Sequence, residues 1–246
     1  MKILYLIPGW MSRTPAGHEE MARREAFLRR AARPETIVEV WDVEGGPSSI
    51  ESMYEEYLSV PGALRRIEEA ARGSFDGIIL GCYGDPGVDA ARELVSIPVA
   101  GPGEASMLFA AALGHRFSIV TVLDSVVHPL RRLARDVGVD GKLASVRAVN
   151  IPVLDLARDP QTTFQRMLEA GRLARDVDGA DSLALGCMTM AFLNEDRKLA
   201  DALGIPVVNP VHAALELIEA FVSMGIAHSK RAFPFPPKLR APVGDL

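Results

Sequence analysis

Cys82 and Cys187 are the only cysteines of the chain, and they stand in matching surroundings. Asp76 leads through an apolar run into Leu80-Gly81-Cys82, and Asp181 leads through another into Leu185-Gly186-Cys187, six positions from acid to thiol each time. A cysteine taken alone reads as a small core hydrophobe. Two matched Leu-Gly-Cys contexts at the ends of apolar runs argue for chemistry, because core filling does not require such placement. Each thiol is expected at the carboxyl end of a parallel strand, where α/β sheets bind ligands, and ahead of a helix whose free N–H groups favour thiolate. A disulfide is not expected in a reducing cytoplasm. If two lobes face each other about a pseudo-two-fold axis, the thiols enter one cleft from opposite sides. One thiolate can then take a proton from one face of a carbon while the other thiol returns one to the opposite face, which is what racemisation needs, and no cofactor is demanded. Backbone N–H groups after the cysteines and hydroxyls such as Thr189 would hold the enolate-like intermediate.

Strands and helices in strict alternation position these thiols. Apolar runs at 2–7, 37–41, 77–81 and 97–100 read as strands, with helical patterns at 17–32, 59–72, 87–95 and 104–113. Pro61 is expected near the first turn of its helix. From Phe117 the series restarts, with strands at 117–122, 145–150, 182–186 and 205–208 and helices at 125–137, 160–176, from Cys187 through Leu203, and 211–224. Cys82 and Cys187 are 105 positions apart, Ile97-Pro98-Val99 and Ile205-Pro206-Val207 are 108 apart, and the strands starting at Ile3 and Phe117 are 114 apart. Such a period suits duplication of a whole lobe rather than a solenoid unit of about 20–50 residues. The fold class expected is therefore α/β, as two pseudo-symmetric lobes, each a four-stranded parallel sheet flanked by helices.

Other residues are candidates by position. Glu104 follows Gly101-Pro102-Gly103 in the first turn of a helix; Ser106 is a possible donor to ligand; His212 occupies the repeat position of Glu104; Thr121 ends the fifth strand. Asp85 is expected to cap the helix after Cys82, and Met107, Met188 and Met190 read first as packing. Gly81, Gly84 and Gly87 lack the close first pair of a dinucleotide fingerprint, and no Gly-Lys-Ser/Thr phosphate loop occurs. The five histidines are scattered without ligand spacing, so no metal site is expected. A net charge of −5 gives no drive toward nucleic acid or anionic lipid. No apolar run approaches the roughly 20 residues of a bilayer-crossing helix, and the chain reads as cytoplasmic. Residues 231–246 form a Pro-rich tail expected to be extended, with Phe233 and Phe235 available for packing.

The segments Gly81-Cys82-Tyr83-Gly84-Asp85-Pro86-Gly87-Val88-Asp89-Ala90-Ala91-Arg92-Glu93 and Pro98-Val99-Ala100-Gly101-Pro102-Gly103-Glu104-Ala105 closely resemble the hydantoin and allantoin racemases of the Asp/Glu/hydantoin racemase superfamily, and Leu185-Gly186-Cys187-Met188 resembles that family's second cysteine segment. The resemblance covers most of residues 1–225. It implies two flavodoxin-like lobes and a cofactor-independent racemase of a small hydantoin-like or amino-acid-derived substrate, with Cys82 and Cys187 as the acid/base pair and a homo-oligomeric assembly. One lobe is then residues 1–98 with 209–230, the last helix returning to it, and the other is 99–208. Substrate contacts implied in the first half are Pro8, Gly9, Ser12, Tyr83 and Gly84. Those farther along are Gly103, Glu104, Ser106 and Thr121, with Met188, Thr189 and His212. The family's Asn-Pro-Asn-Thr-like segment after the first strand is here Ile7-Pro8-Gly9-Trp10-Met11-Ser12, keeping the proline and a displaced hydroxyl. Both cysteines together argue against a one-cysteine arylmalonate decarboxylase. A maleate-isomerase-like cis-trans isomerase, or a non-catalytic metabolite-binding protein, stays open as an alternative.

Overall fold

A computed structural model describes residues 1–238 of the chain. Its elements run β1 (Lys2–Leu6), α1 (Gly17–Ala31), β2 (Ile37–Trp41), α2 (Met53–Ala71), β3 (Gly77–Leu80), α3 (Val88–Leu94), β4 (Val99–Ala100), α4 (Pro102–Ala112), β5 (Phe117–Thr121), α5 (Val127–Val137), β6 (Leu143–Ala148), α6 (Pro160–Asp176), β7 (Ser182–Leu185), α7 (Met188–Phe192), α8 (Asp196–Leu203), β8 (Val207–Val208) and α9 (Pro210–Met224). They form two compact units. The first comprises Met1–Ile50, Tyr54–Gly101 and the described residues from Ala214 to Lys238; the second comprises Glu51–Met53 and Pro102–Ala213.

Each unit holds one four-stranded, all-parallel sheet, in the order β2-β1-β3-β4 in the first and β6-β5-β7-β8 in the second. Parallel strands covered on both faces need apolar side chains in both directions. That is why Ile3 to Leu6, Gly77–Leu80, Phe117–Thr121 and Ser182–Leu185 are buried throughout. In the first unit Leu4, Leu6, Ile78 and Leu80 share a core with Ala63 and Ile67 of α2 and Ala91 of α3. In the second, Val120, Leu183 and Leu185 pack with Met167 of α6 and Leu199 of α8. Gly77 has no room for a side chain, since a Cβ there would stand 2.8 Å from Cγ1 of Ile218 on α9.

The acidic residue that opens each repeat is structural. Asp76 Oδ2 accepts the Lys2 amide at the start of β1 (2.7 Å), and Asp181 Oδ2 accepts the His115 and Arg116 amides just before β5 (2.8 and 2.9 Å). Lys2 and Arg116 are 114 positions apart, the offset of the two halves. The amides hold the Asp181 carboxyl below its ordinary 3.8, and the Arg147 guanidinium does the same for Asp178. A carboxylate whose folded pKa is depressed stabilises the fold above its unfolded pKa, and that contribution is lost as pH falls through the folded value. The contribution of these two carboxylates to thermal stability should therefore be constant from neutral pH to about 5 and decline below about 4. Asp181→Asn should lower Tm at pH 7 and flatten the acid limb; an unchanged acid limb would remove Asp181 from this role.

Three local features depart from the sequence pattern. α2 begins at Met53, so Pro61 lies inside it; Ser59 Oγ donates to Glu56 O in the turn before the proline (2.7 Å). The single helix expected after Cys187 is two, α7 and α8, because Asn194 adopts φ 61°, a left-handed conformation that asparagine tolerates better than most residues. The N-cap position of α3 is occupied by Gly87 at φ 77° rather than by Asp85, which is itself left-handed at φ 53°.

The segment after α9 folds back on the first unit. The His228 ring lies on Val99 of edge strand β4, with Nε2 3.0 Å from its N and 2.8 Å from its O. Lys230 Nζ donates to Arg92 O and Val95 O (both 2.6 Å) around the end of α3. Phe233 packs against His228 and the Arg92 guanidinium, and Phe235 lies under Lys230. The tail beyond Lys238 lies outside the described residues. Among the described residues, no helix is long and apolar enough to cross a membrane.

Candidate active site

In the first unit β3 delivers Cys82 through a turn fixed by backbone bonds. Gly81 N donates to Leu6 O (2.7 Å), Cys82 N to Leu80 O (2.7 Å) and Asp85 N to Cys82 O (3.1 Å). Gly81 is required by its neighbour on β1: a Cβ would stand 2.4 Å from Cζ and 2.7 Å from the hydroxyl of Tyr5, a fully buried ring. α3 starts six residues after Cys82, so this thiol belongs to the turn and not to a helix N-terminus as expected. Cys82 is partly exposed.

Several candidates gather at this end of the sheet. Pro8 and Gly9 are buried just beyond β1, and a Gly9 Cβ would meet Pro47 O at 3.1 Å. Ser12 is partly exposed, and its amide is used locally, donating to Asp42 Oδ2 (2.7 Å). Tyr83 is buried and Gly84 partly exposed. One carboxylate that sequence reasoning did not assign here, that of Glu56, approaches the turn, while the carboxyl of Asp85 within the turn lies against Gly101. A Cβ on Gly84 would stand 3.3 Å from Glu56 Oε2 of α2, and one on Gly101 would stand 2.4 Å from the Asp85 carboxyl. Glu56 carries no local signal, being 26 positions before Cys82 on a separate helix.

In the second unit β7 delivers Cys187 by an analogous route. Gly186 N donates to Val120 O (2.7 Å), the counterpart of the bond from Gly81 to Leu6. A Gly186 Cβ would stand 2.6 Å from Ile119 Cγ2 and 2.9 Å from Thr121 Cβ. Both repeats thus need glycine before cysteine because a side chain of the adjacent inner strand lies across that position. Cys187, extended at φ −158° and ψ 137°, is the N-cap of α7, and its carbonyl accepts Ala191 N (3.1 Å). It is 8% exposed, so the two thiols differ in access to solvent.

The remaining candidates of this unit fall into three groups. Met188 is buried and Thr189 partly exposed in the first turn of α7. Gly103, Glu104 and Ser106 lie within the first five residues of α4, where Ser106 Oγ donates to Gly103 O (3.1 Å). Thr121 is fully buried with its hydroxyl on Gly186 O (3.0 Å), while His212 is exposed. Asn209, which stands 108 positions after Gly101 and so at the same place in the repeat, is buried and joins three elements. Its amide donates to Ala191 O (3.1 Å) and Asp196 Oδ1 (3.0 Å), and its oxygen accepts Val211 N (3.0 Å). Among the described residues no cluster of three or more His, Cys, Asp or Glu side chains is placed to hold a metal ion.

Two α/β units with all-parallel sheets, each presenting one cysteine at the carboxyl end of an inner strand, make up the fold. The allantoin racemase of Pseudomonas fluorescens superposes with a TM-score of 0.89 at 31% identity, covering 98% of this chain and 99% of that one. The hydantoin racemase of Pseudomonas sp. (strain NS671) is 35% identical over 215 residues, 87% of this chain and 86% of the relative. That of Rhizobium meliloti is 36% identical over 198 residues, 80% and 81%. The family model described as Asp/Glu/Hydantoin racemase matches residues 14–218. The chain belongs to the Asp/Glu/hydantoin racemase family and is an enzyme of the racemase and isomerase class.

Proposed function

We propose that this enzyme racemises a small hydantoin-like or amino-acid-derived substrate without a cofactor, by proton transfer through Cys82 and Cys187. The observation that carries the reading is the matched Gly-Cys pair at the carboxyl ends of β3 and β7, the only two cysteines in the chain. A substrate C–H beside a carbonyl is acidified because the electron pair left behind delocalises onto the carbonyl oxygen. One cysteine, as thiolate, takes that proton and becomes a thiol. The other, as thiol, gives a proton to the opposite face and becomes a thiolate, so the reverse reaction finds the roles exchanged. Amides of the Cys82 turn and of α7, with Thr189, are the proposed donors to the enolate oxygen. Pro8, Gly9, Ser12, Tyr83 and Gly84 contact substrate from one sequence half, and Gly103, Glu104, Ser106, Met188 and His212 from the other. Thiols outside a disulfide suit work in the cytoplasm, and a homo-oligomer is the assembly the family resemblance implies.

A single enantiomer of a 5-substituted hydantoin, incubated with enzyme in D₂O, should lose optical activity as deuterium enters C5, at a rate set by enzyme concentration. Loss of optical activity without deuterium incorporation would exclude proton transfer. Turnover of maleate through a cysteine adduct detected by mass spectrometry, with no hydantoin racemisation, would move the enzyme to covalent cis-trans isomerisation.

A further inference from the structure

We propose that Thr121 is a positioning residue for Cys187, an inference that rests on the two-cysteine reading above. Thr121 ends β5 and is fully buried, so its hydroxyl is directed inward, and it donates to Gly186 O at 3.0 Å. Gly186 N is held on the same strand by Val120 O at 2.7 Å. Both polar groups of a residue with unusual backbone freedom are thereby fixed to β5. The Gly186 carbonyl shares a rigid peptide plane with the Cys187 amide, so fixing one fixes the other and the direction in which the Cys187 side chain leaves. Thr121 also fills the volume that a Cβ on Gly186 would need, with Cβ at 2.9 Å and Oγ1 at 3.1 Å from that point.

The other half of the chain performs this task differently. The counterpart of Thr121 at the 114-residue offset is Ile7, which has no hydroxyl, and there the peptide after Gly81 is held by the bond from Cys82 N to Leu80 O. The two thiols are therefore set by unlike devices. A change at position 121 should act on Cys187 and leave Cys82 as it was.

The test replaces Thr121 with valine, which keeps the shape and removes the donor, and with serine, which keeps the donor. Alkylation by iodoacetamide, followed at each cysteine by peptide mass spectrometry, gives the Cys187 to Cys82 rate ratio within one protein and needs no turnover. T121V should change that ratio about fivefold or more and lower kcat about tenfold with KM within about threefold, since small misplacement of a reacting group is costly. T121S should restore most of both, and Tm measured on each variant separates this from loss of fold. An unchanged ratio in T121V, or equal losses in T121V and T121S, would overturn the proposal. If Cys187 proves dispensable for turnover, the two-cysteine reading fails, while the alkylation ratio still decides whether Thr121 sets the thiol.

Discussion

Cys82→Ser and Cys187→Ser are each expected to lower racemisation by about 10³-fold or more, with the double variant no worse than either single one. Serine is close to cysteine in size, so folding should be retained at Cys82, which is partly exposed, and at Cys187, where a single buried atom changes. The hydroxyl is a far weaker acid than the thiol and supplies no useful population of base at neutral pH. Because a full inversion needs both groups in one event, removing the second after the first costs little more. Each single variant has a further signature in D₂O. The enantiomer whose proton faces the surviving cysteine should still exchange that proton, with retention of configuration, while the other enantiomer exchanges with neither. Full turnover in either variant would end the two-base mechanism, and exchange of both enantiomers in one variant would point to a single mobile base.

The repeat made much of this architecture legible. A period near 105 to 114 residues, marked by two Asp-to-Cys runs of equal length, is enough to read two parallel four-stranded sheets with a thiol at a strand end of each, while the strand order that makes those strands inner ones comes from the structure. The same runs hid a division of labour. Asp76 and Asp181 secure the starts of β1 and β5, at the opposite end of the strands from the thiols, so one motif mixes a structural acid with a chemical cysteine. What the sequence could not convey depends on contacts between distant segments. Thr121 reads as a strand residue that could meet a ligand, and only packing reveals that its hydroxyl is already engaged by Gly186. Glu56 reaches Gly84 from a helix that begins before its proline, an extension that the local preference for proline at helix starts concealed. The break at Asn194 was hidden for a similar reason. Nothing in an apolar pattern from Met188 to Leu203 announces a left-handed residue, and Asn209 ties the broken halves together from the next strand's end.

Gly81→Ala is the second large effect expected, and it tests how each sheet aims its thiol. A methyl group at this position would stand 2.4 Å from Cζ and 2.6 Å from Cε1 of Tyr5, well inside contact distance. Tyr5 is fully buried in β1, so its ring cannot swing into solvent, and the strain must be taken up by the ring, by β1 or by the Cys82 turn. Overpacking of this kind costs about 1–3 kcal/mol, which for a chain of this length is a fall in Tm of about 2–10 °C. Turnover should fall further than stability alone explains, because the bond from Cys82 N to Leu80 O that sets the thiol directly follows the residue that must shift. Gly141→Ala is the matched control, as that position has open space around it and no left-handed backbone, and it should change neither property. Replacing Tyr5 with leucine in the Gly81→Ala background should recover part of the lost stability, giving a double-mutant coupling of about 1 kcal/mol or more. If Gly81→Ala keeps wild-type Tm and turnover, the glycine before Cys82 is not held there by the ring of Tyr5, and another reason must be found for a Gly-Cys pair at both strand ends.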